Sequence, residues 1–352
     1  MTNTLLSSGE RLLMLGLIDA EGVASIGSSA VEFGGRPVRV IQSGGVAALV
    51  SPAPEPLRLT RWLTLPARPV RLMPIVSALS SLVPILPVAP DTIFEGEEKL
   101  QCMLQAREAE LCELIGAHAG LLECDLVAGF DNEAAEHDLL ANSALAALHG
   151  EAGAEQILIE RSLKQSIDGR RATFLARLNR CIIESAIDAL PIESGDPGVA
   201  LRRRILISRA ARAPFRDALL SLAENAGAGA WLRVSPYLPP VSFRRLEISS
   251  ADPQQVALAR EALGVAETAE RSAIRIAYHR SIERCYPYSD CEPRRRRRLK
   301  RIEQQFGLLE LVAEGQLRAR HGGETAIRFN EEALNETWLI RLHTPDLSRR
   351  AA

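Results

Sequence analysis

The segment from Leu72 to Pro90, LMPIVSALSSLVPILPVAP, constrains the fold most strongly, because it carries no charge over 19 residues. A membrane-spanning helix needs about 20 apolar residues, so this segment must be considered as one. It contains four prolines, and each interior proline removes a helix hydrogen bond at a cost of about 3 kcal/mol. The pattern therefore favours a short helix followed by a proline-marked strand, and we expect no membrane association.

The size and composition of the chain predict a folded protein with more than one domain. Of 352 residues, 47% are hydrophobic and 24% charged, which is typical of globular proteins. A chain of this length is expected to form two or three domains, each with its own core. The amino terminus lacks a secretory signal pattern, and six cysteines are too few for a disulfide scaffold. We therefore expect a cytoplasmic protein with reduced thiols.

The first 131 residues predict an α+β domain of the ferredoxin-like type. Arg11–Asp19 is a compact apolar run typical of a strand, and residues 38–53 predict two strands around a Gly-Gly turn. From residue 97 to residue 118 apolar side chains recur at helical spacing, opposite a glutamate-rich face. A strand with alternating pattern follows over residues 121–129. This order of elements favours a ferredoxin-like sandwich over residues 1–131.

The rest of the chain predicts a second, smaller α+β domain and a helical module. Residues 132–246 contain a helical insertion followed by a strand, a helix and a proline-rich strand and turn. A polar linker, residues 247–255, leads to a J-like helical hairpin module over residues 256–317. The tail, residues 318–352, has weak patterns and is expected to be partly disordered.

The sequence contains no familiar catalytic pattern. It has no phosphate-binding loop, dinucleotide fingerprint, zinc-protease helix or nucleophile elbow, and its six histidines are scattered singly. Cys285 and Cys291 would supply only half of a four-ligand zinc site. We therefore predict no catalytic residue, no metal site and no cofactor, and we expect that the protein is not an enzyme.

A basic run, RRRRRLKR, occupies Arg294 to Arg301. Such a run attracts phosphates, so a nucleic-acid-binding regulator is an alternative hypothesis. No aromatic stacking platform or groove-reading pattern accompanies the run, which makes nucleic acid the less favoured partner. A solvated helix face that docks an acidic partner is the preferred interpretation. The candidate contacts in the run are Arg294, Arg295, Arg298 and Arg301.

Several segments from about residue 8 to residue 245 resemble, in order, those of one protein family. LLMLGLI (12–18) is similar to an opening YLYGIV strand, and ILPVAPDTIF (85–94) to a VLPFRFGTVF strand before an acidic helix. LLECDLVAGFD follows the helix, as an acidic strand does in the family. ILISR (205–209) and VSPYLPPVSF (234–243) are similar to the YLVPR and TGPWPPYSF segments. The chain thus resembles the gas vesicle GvpF/GvpL family of assembly proteins.

The chain departs from the family pattern at two places. The family's Phe-Gly is Pro90-Asp91 here, and its Trp-Pro-Pro-Tyr is residues 238–241, Leu-Pro-Pro-Val. Contacts made by the missing aromatic side chains are therefore in doubt. Within this signature, Pro239, Pro240 and Phe243 are candidate partner contacts.

A second resemblance covers the helical module. ALGV (262–265) and IRIAYHRSIERCYPY (274–288) look like helices I and II of a J domain, the module that stimulates DnaK-type chaperones. An apolar stripe expected of the third helix follows: Leu299, Ile302, Phe306 and Leu309. The His-Pro-Asp tripeptide of the family falls on Tyr286, Pro287 and Tyr288, which are the remaining candidate contacts. The resemblance implies a helical hairpin without chaperone stimulation; an active J-type cochaperone and an unrelated hairpin are the alternatives.

The family resemblance implies a cytoplasmic, non-enzymatic factor for gas vesicle assembly, located at the gas vesicle. Such a protein would hold the hydrophobic shell subunit or bridge other minor vesicle proteins. Residues 91–160 contain 16 acidic and 2 basic residues, whereas the carboxy-terminal module is rich in arginine. The two regions offer surfaces of opposite sign, which favours steered and multivalent association with protein partners.

Overall fold

The computed structural model describes residues 10–26, 32–33, 36–53, 68–142, 154–196, 198–285, 292–319 and 325–345. The chain divides into two compact units. The first unit combines Met1–Ala119 with Arg244–His343, and the second contains Gly120–Phe243 and Thr344–Ala352. The first unit is therefore assembled from two segments that are distant in sequence.

An antiparallel sheet forms the centre of the first unit. The strands of its amino-terminal segment are β1 (Arg11–Asp19), β2 (Glu32–Phe33), β3 (Arg36–Pro37), β4 (Arg39–Ser43), β5 (Val46–Pro52), β6 (Leu86–Pro87) and β7 (Ile93–Glu95). The sheet has the order β4-β5-β1-β6, β7 also pairs with β1, and β2 and β3 form a separate ladder. The strand at Arg11–Asp19 and the two strands around Gly44-Gly45 lie where the sequence predicts them.

Strand β1 is buried on both faces of the sheet. Leu12 and Met14 belong to one core cluster, and Leu13 and Leu15 to another. The pairing with β5 shifts between Met14 and Gly16, so the alternation changes phase and the first cluster continues at Leu17. A Cβ at Gly16 would lie 2.6 Å from Ile85 Cδ1, so this close approach requires glycine.

Helices cover the two faces. After a 3-10 turn (Ala20–Gly22) come α1 (Val23–Ile26), α2 (Arg68–Leu82), α3 (Glu97–Ala106) and α4 (Glu108–His118). Helix α2 packs on one face, and α3 and α4 pack on the other. The helix predicted over residues 97–118 is thus divided at Arg107, and the 72–90 segment forms a helix followed by β6. Among the helices of the described residues, none combines the length and apolarity that crossing a bilayer requires.

The second unit is a four-stranded antiparallel sheet with helices. Its elements are β8 (Leu121–Phe130), α5 (Asn132–Asn142), α6 (Ala154–Ser185), β9 (Asp188–Pro191), β10 (Val199–Ser208), α7 (Arg212–Glu224) and β11 (Ala230–Val234). The strand order is β11-β8-β10-β9. The core joins Leu122 and Leu126 of β8 to Phe174 and Leu178 of α6 and to Phe215 of α7. Both units therefore combine helices with antiparallel sheets, which confirms the mixed α and β composition.

The strand predicted at residues 121–129 pairs with β10 and β11, not with the first sheet. The division between units accordingly falls at residue 119 instead of the predicted residue 131. The alternation of apolar residues indicates a strand but does not identify its neighbours. The ferredoxin-like arrangement stays a prediction.

The carboxy-terminal segment of the first unit adds two strands and a helical layer. Its elements are β12 (Arg245–Ser250), α8 (Pro253–Leu263), β13 (Thr268–Glu270), α9 (Arg271–Glu283), α10 (Glu292–Ala319), β14 (Ala326–Arg328), α11 (Glu331–Asn335) and β15 (Trp338–His343). Strands β12 and β15 pair with each other, and Leu246 forms a parallel bridge to Val88. Leu246, Ile248 and Ile340 enter the core cluster of β1 and α3.

Two expectations for this segment differ from the structure. Most of the predicted polar linker, residues 247–255, belongs to β12 and α8, and the predicted tail contains β14, α11 and β15. The two strands that pair here are each six residues long and lie about ninety residues apart in the chain, so no local hairpin pattern joins them. Burial of Leu246 and Ile340 against the distant β1 supplies the stabilisation that local sequence lacks.

Helices α8, α9 and α10 share one core with the β13–β14 pair. Ile302 and Leu309 of the predicted stripe are buried there, and Leu299 and Phe306 pack against the cluster. The helix positions agree with the predicted helical module, whereas its J-like identity stays a prediction. The Tyr286, Pro287 and Tyr288 positions lie outside the described residues, as does Cys291.

Candidate interaction sites

A network of charged side chains lies on the second sheet. Glu123 and Asp125 alternate along β8 with Leu122, Cys124 and Leu126, which belong to the helix-covered core. The two carboxylates therefore share the other face of the sheet. Glu123 is only 3% exposed, so its charge must be compensated locally.

The partner of Asp125 is Arg204, which lies directly opposite it on β10. The guanidinium donates from Nε to Asp125 Oδ1 at 2.6 Å and from Nη2 to Oδ2 at 3.1 Å. Its Nη1 donates to Ser242 Oγ at 2.6 Å. This bidentate pair raises the pKa of Arg204, so the group stays charged. Arg204 thus joins two strands to the proline-rich segment.

Ser242 connects the buried carboxylate to the same segment. Its backbone N–H donates to Glu123 Oε2 at 2.8 Å, and its hydroxyl donates to Oε1 at 3.0 Å. Burial raises the pKa of the Glu123 carboxyl, while the hydrogen bonds from Ser242 and the charge of Arg204 act in the opposite direction. The network fixes the turn of the VSPYLPPVSF segment onto β8. We call this set, Glu123, Asp125, Arg204 and Ser242, the β8 network.

Backbone contacts position the proline-rich segment as well. Leu238 exchanges both hydrogen bonds with Glu123, at 2.7 and 2.8 Å. Phe243 N–H then donates to the Pro240 carbonyl at 3.0 Å, which closes the turn. The predicted contacts Pro239, Pro240 and Phe243 are all buried. Their burial supports a role in holding this turn, and a direct role in partner binding stays a prediction.

The predicted arginine contacts lie at the start of α10. Arg294, Arg298 and Arg301 are exposed, and Arg295 is half-buried. Arg295 and Arg296 pair with Glu292, one turn earlier, and the hydrogen bond from Arg296 together with the charge of Arg295 lowers the pKa of its carboxyl. The run is therefore the solvated side of a helix, whose apolar residues Leu299 and Ile302 pack on the core.

A second charged cluster, absent from the sequence prediction, joins the two segments of the first unit. Arg107 is buried between α3 and α4, and its guanidinium donates to the Trp338 carbonyl and to Glu110. Arg318 of α10 lies 3.2 Å from the other oxygen of Glu110. We call Arg107, Glu110 and Arg318 the Arg107 cluster. It ties the amino-terminal helices to β15 and to the end of α10.

For each charged cluster, the sequence contains one charged residue among apolar neighbours that weakly indicates it. Arg107 falls between Leu104 and Leu111, at a position of the helix stripe that is otherwise apolar. A charge inside such a stripe indicates a buried partner. Glu123 occurs in a strand with apolar neighbours on both sides, which is the same kind of signal. In the described part of the chain, no three His, Cys, Asp or Glu side chains are grouped to hold a metal ion.

The fold and these clusters define a class of protein in which antiparallel sheets and helices are joined by buried charged side chains from distant parts of the sequence. A family model described as gas vesicle synthesis protein GvpL/GvpF matches residues 14–245, and the chain belongs to this family. The family comprises structural and assembly proteins of gas vesicles and is not a known enzyme family. Membership gives the chain a role related to gas vesicles, and the family resemblance is confirmed over residues 14–245.

Two solved structures that are similar to the chain are gas vesicle proteins. GvpF from Anabaena sp. PCC7120 is 14% identical, with 66% of this chain and 94% of that chain covered and a TM-score of 0.42. GvpF from Microcystis aeruginosa is 16% identical, with 66% and 98% covered and a TM-score of 0.41. No curated protein matches the chain.

Proposed function

We propose that this protein is a non-enzymatic assembly factor that acts at the gas vesicle in the cytoplasm. It would bind the hydrophobic shell subunit, other minor vesicle proteins, or both, while the vesicle forms. The observation that carries the proposal is the family match over residues 14–245, which spans the amino-terminal sheet and the whole second sheet. The charged clusters support it, because their polar atoms are engaged in holding the fold.

The β8 network supports a binding role over a chemical one. Arg204 is bonded to Asp125 and Ser242, and Ser242 is bonded to Glu123. A catalytic acid or base must reach a substrate proton at hydrogen-bond distance. Here Glu123 is 3% exposed and its two oxygens accept from Ser242. We therefore assign the network to the architecture of a binding protein.

Deletion of the gene in a vesicle-forming host tests the proposal. We expect loss of buoyancy, restored by the wild-type gene, and copurification of vesicle proteins with a tagged copy. Purified protein should also delay aggregation of the shell subunit diluted from denaturant, as followed by light scattering. Normal buoyancy together with no copurifying vesicle protein would remove the proposal.

A nucleic-acid-binding regulator is the second candidate, and the exposed arginines of α10 favour it. Phosphate contacts by such residues would give affinity that falls steeply with salt. Filter binding of duplex and single-stranded DNA at low salt tests this candidate, and absence of binding there excludes it. Stimulation of a DnaK-type ATPase would instead favour the J-type alternative.

A further inference from the structure

The α9–α10 hairpin concentrates positive charge at one end. Arg271 and Arg275 near the start of α9 both pair with Glu310 of α10. Tyr278, one turn later, stacks on Phe306, so the two helices run antiparallel. The end of α9 therefore lies beside the start of α10. Among the exposed residues there, which also include Glu283, Glu292 and Glu303, we call seven basic ones the basic end: Arg280, Arg284, Arg294, Arg297, Arg298, Lys300 and Arg301.

The basic end stands on a rigid support. Ile274 of α9 and Ile302 and Leu309 of α10 are buried in one core, with Tyr278 and Phe306 stacked at a centroid distance of 4.1 Å. Two ion pairs to Glu310, at 2.6 and 3.2 Å, fix the hairpin further along. The backbone of a packed hairpin is preorganised, so binding to its surface need not order the two helices.

Three arginines of α10 form one stripe. Arg294, Arg297 and Arg301 have the spacing i, i+3, i+7, which places them on one side of the helix over about 10 Å. Within the described part of the chain, none of the three guanidinium groups forms an ion pair with a carboxylate. Glu292 is occupied by Arg295 and Arg296 instead. The stripe thus offers three planar donors to an external acceptor.

The surroundings of the stripe distinguish between anionic partners. Leu299, the apolar residue of the run, packs against the core, so among the described residues 294–301 no apolar side chain is free to insert into a bilayer. Tyr278 and Phe306 stack on each other and are half-buried, so they present no free ring on which a base would stack. The planar guanidinium group of arginine can donate two parallel hydrogen bonds to one carboxylate, which favours an acidic protein partner.

We propose that the basic end docks an acidic protein segment, best a helix with carboxylates at the same i, i+3, i+7 spacing. The inference rests on the proposed function, because it supplies the chemistry by which a vesicle protein would be recognised. The family match ends at residue 245, so this docking surface lies in the part of the chain that the family model does not cover. The surface therefore gives this chain a partner preference of its own.

Fluorescence anisotropy with a labelled 14-residue glutamate-rich helical peptide tests the proposal on the full-length protein. The test variant is Arg294→Glu/Arg297→Glu/Arg301→Glu. The control variant, Arg171→Glu/Arg177→Glu/Arg180→Glu, changes three exposed arginines of α6 and has the same net charge. Wild type and control should bind the peptide alike, with affinity that falls as salt rises, whereas the test variant should bind about tenfold or more weakly.

Three outcomes overturn the inference: equal peptide binding by the two variants, tighter wild-type binding to a single-stranded oligonucleotide of equal charge, or tighter binding to phosphatidylserine vesicles. Circular dichroism establishes that the test variant is folded. In the vesicle-forming host, normal vesicle-protein copurification by the test variant, alongside loss of buoyancy on deletion, would refute the docking surface alone. Normal buoyancy on deletion would count against the proposed function instead.

Discussion

Replacing Arg107 by methionine is expected to destabilise the first unit by about 3 kcal/mol. The Arg107 side chain is 2% exposed and that of Glu110 is 10% exposed, so the substitution leaves a buried carboxylate without its main partner. It also removes the donor to the Trp338 carbonyl. Breaking a buried pair costs about 3 to 5 kcal/mol. Arg318, at 3.2 Å from Glu110 and 43% exposed, retains part of the compensation, which places the effect at the lower bound.

Urea unfolding followed by the fluorescence of Trp338 measures this effect. Phenylalanine at the other two tryptophans, Trp62 and Trp231, isolates the signal of the first unit. The matched control is Lys99→Met on α3, where the side chain is 61% exposed and the change should stay within about 0.5 kcal/mol. A loss below about 1 kcal/mol for Arg107→Met would refute the role assigned to the Arg107 cluster.

Three further predictions concern single groups and the carboxy-terminal segment. Burial raises the pKa of Glu123 in the folded state above its ordinary value. The stability that the protonated Glu123 contributes is therefore fully present below the ordinary pKa and is lost as pH rises through the folded-state pKa. Glu123→Gln should flatten this pH dependence of the unfolding free energy in urea titrations, and an unchanged profile would contradict the prediction. Burial raises the pKa of Cys124 to about 12, so iodoacetamide at pH 8 should label exposed Cys102 and spare Cys124 in peptide mass spectra. Truncation after Arg245 removes Ile248 and Ile340 from the core cluster of β1 and α3. The shortened chain should therefore elute as aggregate in size-exclusion chromatography. A monodisperse product would show that the carboxy-terminal segment is dispensable for folding.

The sequence predicts elements whose patterns are local. Strand β1, the hairpin β4–β5 and the apolar stripe of α10 follow from the spacing of their own residues. Strands β12 and β15 do not, because the partner of each strand lies about ninety residues away in the chain. Their stabilisation comes from contact with a core that the amino-terminal segment builds. Periodicity is assessed within a sequence window of ten or twenty residues, which does not contain both strands of such a pair.

The candidate sites were predictable to different degrees. The arginine run is exposed on a helix, as its composition indicates. Pro239, Pro240 and Phe243 belong to the family signature, but a signature residue that packs inside a turn looks the same in sequence as one on a surface. The pair of Asp125 and Arg204 was missed because it depends on strand register, which places Arg204 opposite Asp125.

The parallel bridge between Val88 and Leu246 has a consequence for folding during synthesis. Residues 11–119 leave the ribosome long before the strands β12 and β15, whose apolar residues complete their core. At about 5 to 20 residues per second, the interval between residue 119 and residue 343 is roughly 10 to 45 seconds. The described strands and helices of the second unit all lie between residue 121 and residue 234, so its sheet can form first. Until β12 and β15 are synthesised, the nascent first unit lacks Leu246, Ile248 and Ile340, the residues from the carboxy-terminal segment that its main core contains.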